Sequence, residues 1–308
     1  MIAPKNPQIR QLVRYIGLML LGLLGWDFVI VVAFKVLHWE WVGSRHVPLA
    51  LYGSAIGIIV GFRNNSAYGR WWEARILWGQ IVNSSRSLAR QVCVAMCPND
   101  TQPPGAEKDQ KADLLRQIIY YQIAFVHALR QQLRGLDPMA EIRSLTAQEE
   151  HAALAKEKNV PLALQRRMGT MLRQARQRGW IDNWEWQSID RNLDNLMGAQ
   201  GGAERIKNTP MPKQYDFFPK LFVQIYCLML PVGMVENLGW ITPVGSTLVG
   251  FMFLALEEIG RDLEDPFENA IYDVPITAIS KTIEINLRQM LGETKLPEPE
   301  KPVRGVLW

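Results

Sequence analysis

Long apolar runs lie near both ends of this chain, whereas its middle is dense in arginine, glutamine and acidic side chains. Residues 15–36 are about long enough for a helix to cross the ~30 Å apolar core of a bilayer. Residues 48–62 form a shorter second run, and two closely spaced runs within residues 217–256 are typical of a helical hairpin. The pattern predicts an all-α membrane protein with four transmembrane helices in each subunit.

The polar middle of the chain has the apolar spacing of amphipathic helices. Gly135 and Gly179 are predicted to end two of these helices, and Asp182 is a good N-cap for the next. Further helices are predicted at residues 148–156 and 161–178. No alternating run rich in Val or Ile indicates a strand, so we predict a large cytosolic helical bundle and no sheet.

Lysine and arginine residues concentrate at one end of the predicted spans, before the first and third and after the second: Lys5, Arg10, Arg14, Arg63, Arg70, Arg75, Lys213 and Lys220. By the positive-inside rule, both termini and the polar middle are cytoplasmic, and the protein is a multi-pass protein of the plasma (inner) membrane.

The predicted order of segments follows from these spans. An N-terminal lead with helices one and two occupies residues 1–62, and a cytosolic helical region occupies 63–216. Helices three and four occupy 217–256, and a cytosolic C-terminal region with a Pro-rich, disordered tail occupies 257–308.

Two stripes of residues four apart run along the second apolar segment. One stripe consists of glycines, and the adjacent stripe has larger side chains: Gly53, Gly57 and Gly61, and Ser54, Ile58 and Phe62. Glycines at this spacing let a neighbouring membrane helix approach closely, so the first stripe predicts helix packing. The adjacent stripe predicts an apolar constriction, because Ile58 and Phe62 can meet symmetry copies of themselves and gate ions by dewetting.

Charge and cysteine content exclude several other kinds of site. The net charge of +4 is small and scattered, so it does not indicate a nucleic-acid partner. The three cysteines form no disulfide framework, and none of the four histidines has a metal-ligand partner at helical spacing. We therefore predict no metal site and no cofactor.

Acidic residues near the apolar runs have two interpretations each. Asp27 lies within the first run, where an ionised carboxylate must face protein or water. It either attracts cations, or it is paired within the helix bundle or lies at an interface beside Trp26. An acidic cluster follows the fourth run: Glu257, Glu258, Asp262, Glu264, Asp265 and Glu268. We expect this cluster to end the helix and to pair with arginines of the cytosolic bundle.

Two motifs carry a resemblance to a known family. GFRNNSAYGRWWEAR follows the second run, and LEDPFEN follows the fourth. With the pair of closely spaced spans, they are similar to the prokaryotic branch of the bestrophin family over residues 15–290. The resemblance implies a homopentameric ion channel around a central pore, with a neck at Ser54, Ile58 and Phe62. The family usually has a bulky apolar residue at the outermost neck position, so Ser54 predicts a wider outer ring.

The resemblance also carries expectations about ions. Eukaryotic members have a dense acidic run after the Pro-Phe motif, whereas this chain has no such run after Phe267, so we expect no calcium activation. Prokaryotic relatives favour monovalent cations such as sodium, which we expect here, with anion (chloride) conduction as the alternative. Asp27 and Glu236 are candidates for the selectivity charge, and Ile181 or Trp184 for a cytosolic constriction.

Other classes of function compete with a channel. A membrane enzyme would need a nucleophile and a base, or a metal constellation, and no histidine lies near the acidic cluster in the sequence, so we predict no enzymatic activity. A non-conducting membrane scaffold or receptor is the remaining alternative. The expected partners are other copies of the chain, the lipid bilayer and the permeating monovalent ions.

Overall fold

The computed structural model describes residues 9–43, 47–96, 106–303 and 305–308. Within them the chain forms ten α-helices: α1 (Ile9–Lys35), α2 (Leu49–Met96), α3 (Ala106–Leu133), α4 (Met139–Ile142), α5 (His151–Leu154), α6 (Val160–Gln177), α7 (Asn183–Asn208), α8 (Lys213–Leu238), α9 (Thr242–Glu264) and α10 (Ile276–Met290). The part of the chain described here contains no strand and a single isolated antiparallel bridge, between Val303 and Val306. The helical fold class is confirmed.

The helices belong to two compact units. The first unit consists of α1, α2 up to Trp71, α8 and α9. Helix α1 packs against α8 and α9, which pack against each other across a short 3-10 turn at Gly239–Ile241. Apolar side chains of all four helices fill the core, among them Leu23, Val60 and Val223. The hairpin predicted from the two closely spaced apolar runs is therefore present.

Two stretches of the described chain are long and apolar enough to cross a membrane. Ile16–Lys35 has a mean hydropathy of 2.3, and Lys213–Glu264, which contains α8 and α9, has a mean hydropathy of 1.6. The predicted second span, residues 48–62, is not a separate helix of this kind. It is the N-terminal part of α2, a continuous helix of 48 residues whose later turns are polar.

The second unit consists of α2 from Trp72 onward, α3 to α7 and α10. Helix α3 lies at its centre, packed against α6 and α10, and contributes fully buried side chains such as Ile119 and Phe125. Asp182 caps α7 as predicted, accepting a hydrogen bond from the main-chain N–H of Glu185, whose side chain bonds back to Asp182. This reciprocal pair satisfies two main-chain donors at the start of α7.

Local predictions in the second unit had mixed outcomes. Gly135 and Gly179 follow α3 and α6 with φ of +69° and +70°, a left-handed conformation that favours glycine after a helix. The helix predicted at 148–156 is only a 3-10 turn followed by the short α5. The C-terminal tail was predicted to be disordered, but the structure shows contacts at its end. Val306 is buried, and the carbonyl of Trp308 accepts a hydrogen bond from the N–H of Ala278.

Part of the basic lead lies outside the described residues. Lys5, which was counted in the orientation of the spans, falls there, so the structure gives it no position. The cysteine at position 97 also lies outside the described chain.

Candidate functional site: the exposed face of helix α2

One face of α2 in the first unit is exposed. Ile58 is 61% exposed and Phe62 67%, and Ser54 is exposed one turn earlier. The hydroxyl of Ser54 donates to the carbonyl oxygen of Ala50 at 2.7 Å, so its donor is already used within the helix. Large apolar side chains at these exposures need a partner outside the subunit, either lipid or another copy of the chain.

The glycine stripe beside this face does not act as one packing surface within the subunit. A Cβ added to Gly53 would lie 2.5 Å from the hydroxyl of Tyr226 on α8, so this glycine allows a close helix contact. Gly57 and Gly61 have nothing within 4 Å of an added Cβ. Within the subunit, Gly53 therefore lies at a close contact with α8, and the other two glycines border open space.

The residue that follows Phe62 points the other way and is buried. Arg63 is 1% exposed, and its Nη2 donates to Oδ1 of Asp216 on α8 at 2.5 Å. Its Nη1 donates to the main-chain carbonyl of Glu257 on α9 at 2.9 Å. The carboxylates of Glu257 and Glu264 each lie 3.9 Å from the guanidinium, so three acidic groups surround one cation.

The contact between α2 and α9 continues beyond Arg63 along α2. Asn64 donates from Nδ2 to the carbonyl of Leu256 at 2.7 Å, and Arg70 donates from Nε to the carbonyl of Glu264 at 3.0 Å. A Cβ on Gly260 would collide with Oδ1 of Asn64 and lie 2.8 Å from Nη1 of Arg63. The close approach of the two helices therefore depends on the absence of a side chain at Gly260.

Members of the acidic cluster after the fourth apolar run pair with cations. Glu257 and Glu264 lie near Arg63, the first residue of the region predicted to be cytosolic, and the structure places Arg63 in the first unit with the apolar helices. Glu258 pairs with Arg261 of the same helix. Arg63 had been read from the sequence only as an orientation charge. The signal that was missed is the spacing of Glu257 and Glu264, which puts both on one face of α9.

Asp27 lies inside the helix bundle of the first unit. It is fully buried, and its carboxylate accepts hydrogen bonds from Ser246 at 2.9 Å and Thr247 at 3.0 Å on α9. A cation-attracting side chain must reach a water-filled space, and Asp27 does not reach the surface of the subunit. The second selectivity candidate, Glu236, is half-buried. Its side chain packs near Gly43, because a Cβ added to that glycine would lie 3.0 Å from Cγ of Glu236.

In the second unit, the two candidates for a cytosolic constriction differ in exposure. Ile181 is 3% exposed and belongs to the core, whereas Trp184 in the first turn of α7 is 80% exposed. A side chain that lines a channel between subunits must be exposed in the single subunit. Of the two, Trp184 alone meets this condition.

The part of α2 in the second unit has its own exposed positions. Ile76 and Val94 are 46% and 72% exposed and lie about five helical turns apart on the same side. Gln80, Asn83 and Arg90 are exposed between them on that side. None of these five side chains is acidic, and Arg90 carries a positive charge.

No cluster of three or more His, Cys, Asp or Glu side chains that could hold a metal ion occurs among the described residues.

Comparison with known proteins identifies close relatives over most of the chain. A model of the family described as Bacterial/Fungal Bestrophin protein matches residues 15–289. A voltage-dependent anion channel-forming protein of Ralstonia nicotianae is 35% identical over 273 residues, which cover 87% of this chain and 86% of the relative. A protein of the same description from Escherichia coli K12 is 34% identical, covering 92% and 89%.

Two solved structures also match most of this chain. The crystal structure of a bacterial Bestrophin homologue from Klebsiella pneumoniae matches with a TM-score of 0.83 at 30% identity, covering 91% of this chain and all of that chain. A second crystal structure, described as that of a membrane protein, matches with a TM-score of 0.83 at 31% identity and covers 92% of this chain.

Proposed function

Because the chain belongs to the bestrophin family of ion channels, we propose that it forms a homopentameric pore in the cell membrane whose neck is lined by helix α2. Ser54, Ile58 and Phe62 form successive rings of this neck. The observation that carries the proposal is the exposure of Ile58 and Phe62 in a subunit whose next residue, Arg63, is buried. The helix therefore presents one apolar side outward while its other side is fixed to α8 and α9.

The neck would control ions through wetting. Rings of Ile58 and Phe62 offer no group that replaces a hydration shell, so a narrow ring excludes ions when dry and passes them when it widens. Ser54 contributes a smaller ring at the outer end, and its hydroxyl donates to its own helix and not toward an axis. The main barrier therefore lies at Ile58 and Phe62.

Arg63 supports the inner end of the neck. Its bonds to Asp216 and to the carbonyl of Glu257 hold α2 against both helices of the hairpin. A bidentate guanidinium fixes orientation better than a lysine ammonium, because its donors have a rigid planar arrangement. Phe62 precedes this anchor by one residue, so the anchor sets the position from which its ring projects.

Anion conduction is the first candidate for selectivity. The relatives from Ralstonia and Escherichia coli are named for anion channels, and Asp27 is buried and paired, which removes the main support for cation attraction. Arg90 on the exposed side of α2 adds a positive charge. Sodium conduction, which the resemblance to prokaryotic bestrophins implied, is the second candidate.

At the cytosolic end, we assign the second constriction to Trp184. Its 80% exposure supports this role over Ile181. The proposal includes an orientation with both termini in the cytoplasm, which rests on the distribution of basic residues and on two apolar stretches that can cross a membrane.

Single-channel recording of the purified protein in planar bilayers tests the neck. Ile58→Ala and Phe62→Ala should each raise conductance, because a smaller side chain widens and wets the ring. Ile59→Ala is the matched control, since Ile59 is partly exposed but lines a groove against α8 and not the proposed neck. Absence of current from the wild type would favour a scaffold, and unchanged current in both neck variants would refute the neck.

Two further measurements address assembly and selectivity. Chemical crosslinking should give a ladder that ends at five subunits, and a ladder that ends at two would contradict the pore. Reversal potentials in asymmetric sodium chloride distinguish the two ion classes by their sign.

The cytosolic constriction is tested by two variants. Trp184→Ala should raise conductance. Ile181→Ala should lower the stability of the protein without a direct effect on the pore, because it empties a core position.

A further inference from the structure

The part of α2 that belongs to the second unit carries one strip of side chains that its own subunit leaves largely uncovered. The strip recurs every third or fourth residue, with five exposed members and one half-buried serine: Ile76, Gln80, Asn83, Ser87, Arg90 and Val94. At 100° per residue, these positions fall within an arc of about 80° on one side of the helix. This α2 strip contains no acidic residue, and Arg90 is its one charged member.

Helices α7 and α10 contact α2 along opposite edges of the α2 strip. On one edge, Nε2 of Gln91 donates to Oγ of Ser188 on α7 at 3.1 Å. On the other edge, Nη2 of Arg86 donates to Oδ1 of Asn286 on α10 at 2.7 Å. By the same spacing, Gln91 and Arg86 project about 60° and 80° to either side of the centre of the strip. The two neighbouring helices therefore hold the flanks of α2 and leave the strip between them exposed.

Arg90 has no bound partner on this surface. It makes no hydrogen bond and no ion pair with the described part of the chain, whereas Glu73 of the same helix pairs with Arg205 of α7. Glu185 of α7 borders the same small cleft as Arg90, but its Oε2 accepts a hydrogen bond from the N–H of Asp182 at 2.9 Å. The guanidinium of Arg90 is therefore available to ions in solution.

The α2 strip follows the proposed neck along the same continuous helix. Ile58 of the neck, Ile76 and Val94 are each eighteen residues apart, which is five turns of an α-helix. The side chains on this side change from apolar in the neck to amide, hydroxyl and guanidinium groups in the strip. Amide, hydroxyl and guanidinium groups can all donate hydrogen bonds, as anions require, and the strip offers no carboxylate to a cation.

We propose that the α2 strip lines the cytosolic part of the conduit and that Arg90 is the residue that selects anions there. The inference rests on the proposed pore, because the copies of Arg90 must surround one axis. Five unpaired guanidinium groups around an axis raise the local concentration of monovalent anions such as chloride and lower that of sodium. This attraction is screened by salt, because the Debye length falls from about 30 Å at 0.01 M to about 3 Å at 1 M.

Reversal potentials and single-channel conductance of the purified protein in planar bilayers test this role. In asymmetric sodium chloride, the wild-type reversal potential should have the sign of an anion channel. Arg90→Gln should move it toward zero, and Arg90→Glu should move it to the sign of a cation channel. Arg90→Gln should also lower the conductance roughly threefold at ~0.01 M sodium chloride but by less than ~1.5-fold at ~1 M, where the charge is screened.

Two further variants separate a local charge from other effects. Arg90→Lys keeps the charge and should retain the wild-type reversal potential. Arg173→Gln is the matched control, because Arg173 is an exposed arginine of α6 outside the α2 strip and its replacement lowers the net charge by the same amount. This control should retain the wild-type reversal potential and conductance at both salt concentrations.

Three results would overturn the role of Arg90 while leaving the pore in place. They are a wild-type reversal potential of cation sign, a wild-type reversal potential in both Arg90→Gln and Arg90→Glu, and a shift in Arg173→Gln as large as that in Arg90→Gln. A wild type without current would refute the proposed pore and this inference together. The two failures are therefore distinguished by whether current is present.

Discussion

Replacing Arg63 should disrupt the membrane helices more than any exposed arginine does. The side chain is 1% exposed, and it is the only cation within 4 Å of Glu257 among the described ion pairs. Arg63→Gln keeps an amide that can still donate to a carbonyl, but it removes the charge. The carboxylates of Glu257 and Glu264, which are 6% and 17% exposed, then lose the cation that lies 3.9 Å from each of them.

The loss of stability expected for Arg63→Gln follows from the burial of the ion pairs that Arg63 forms. Removing one partner of a buried ion pair costs about 3–5 kcal/mol, because the remaining charge stays desolvated. The contact with Asp216 adds less, since that carboxylate is 48% exposed and is screened by solvent. We therefore expect Arg63→Gln to lower the thermal midpoint of the purified protein clearly, with altered conductance because Phe62 loses its neighbouring anchor.

Circular dichroism during heating in a fixed detergent measures this effect. Arg191→Gln, an exposed arginine without an ion-pair partner in the described residues, should stay within about 0.5 kcal/mol of the wild type. Glu257→Gln in the Arg63→Gln background should restore part of the loss, because it removes an uncompensated carboxylate. The reasoning is refuted if Arg63→Gln melts like the Arg191→Gln control.

Three further predictions test neighbouring features. Gly57→Ala should leave the fold of the subunit intact but weaken crosslinking to the pentamer. Gly53→Ala should lower the stability of the subunit, since its Cβ would collide with α8. Equal melting temperatures of the two variants would contradict this prediction. Asp27→Asn should leave the reversal potential unchanged, and a shift would restore its interpretation as an ion-attracting site. Burial would raise the pKa of Glu284, but its hydrogen bond to His127 and the charge of His127 outweigh burial and lower the pKa from 4.5 to about 2. This stabilisation is present above about pH 4.5 and is lost as pH falls toward 2, so Glu284→Gln should weaken the acid dependence of unfolding measured by circular dichroism.

Features of the chain that depend on neighbours in sequence could be predicted. Asp182 and Glu185 are three residues apart, and the capping box that they form needs nothing else. The exposure of Ile58 and Phe62 likewise agrees with a stripe derived from helical spacing. Gly179 ends its helix through a backbone conformation that glycine adopts without strain.

Features that depend on distant partners could not be predicted. Asp27 was ambiguous because its hydrogen-bond donors lie 219 and 220 residues away on α9. Gly53, Gly57 and Gly61 of α2 are evenly spaced, but of these three only Gly53 meets the bulky Tyr226 of another helix. Periodicity identifies the side of a helix, and it does not identify which element packs there.

The arrangement around Phe62 and Arg63 constrains how a neck at this position can open. Consecutive residues of a helix point about 100° apart, so the exposed ring and the buried anchor belong to one rigid turn. Arg63 and Asn64 both bond to main-chain carbonyls of α9, and Gly260 brings the two helices into close contact. A sideways movement of α2 would break these bonds unless α9 moved with it. Rotation of the Phe62 side chain would break none of them, because its side chain has no partner holding it within the described subunit. Opening by a change of side-chain rotamer is therefore less costly than opening by displacement of α2 alone, and a larger opening requires α2, α8 and α9 to move as one body.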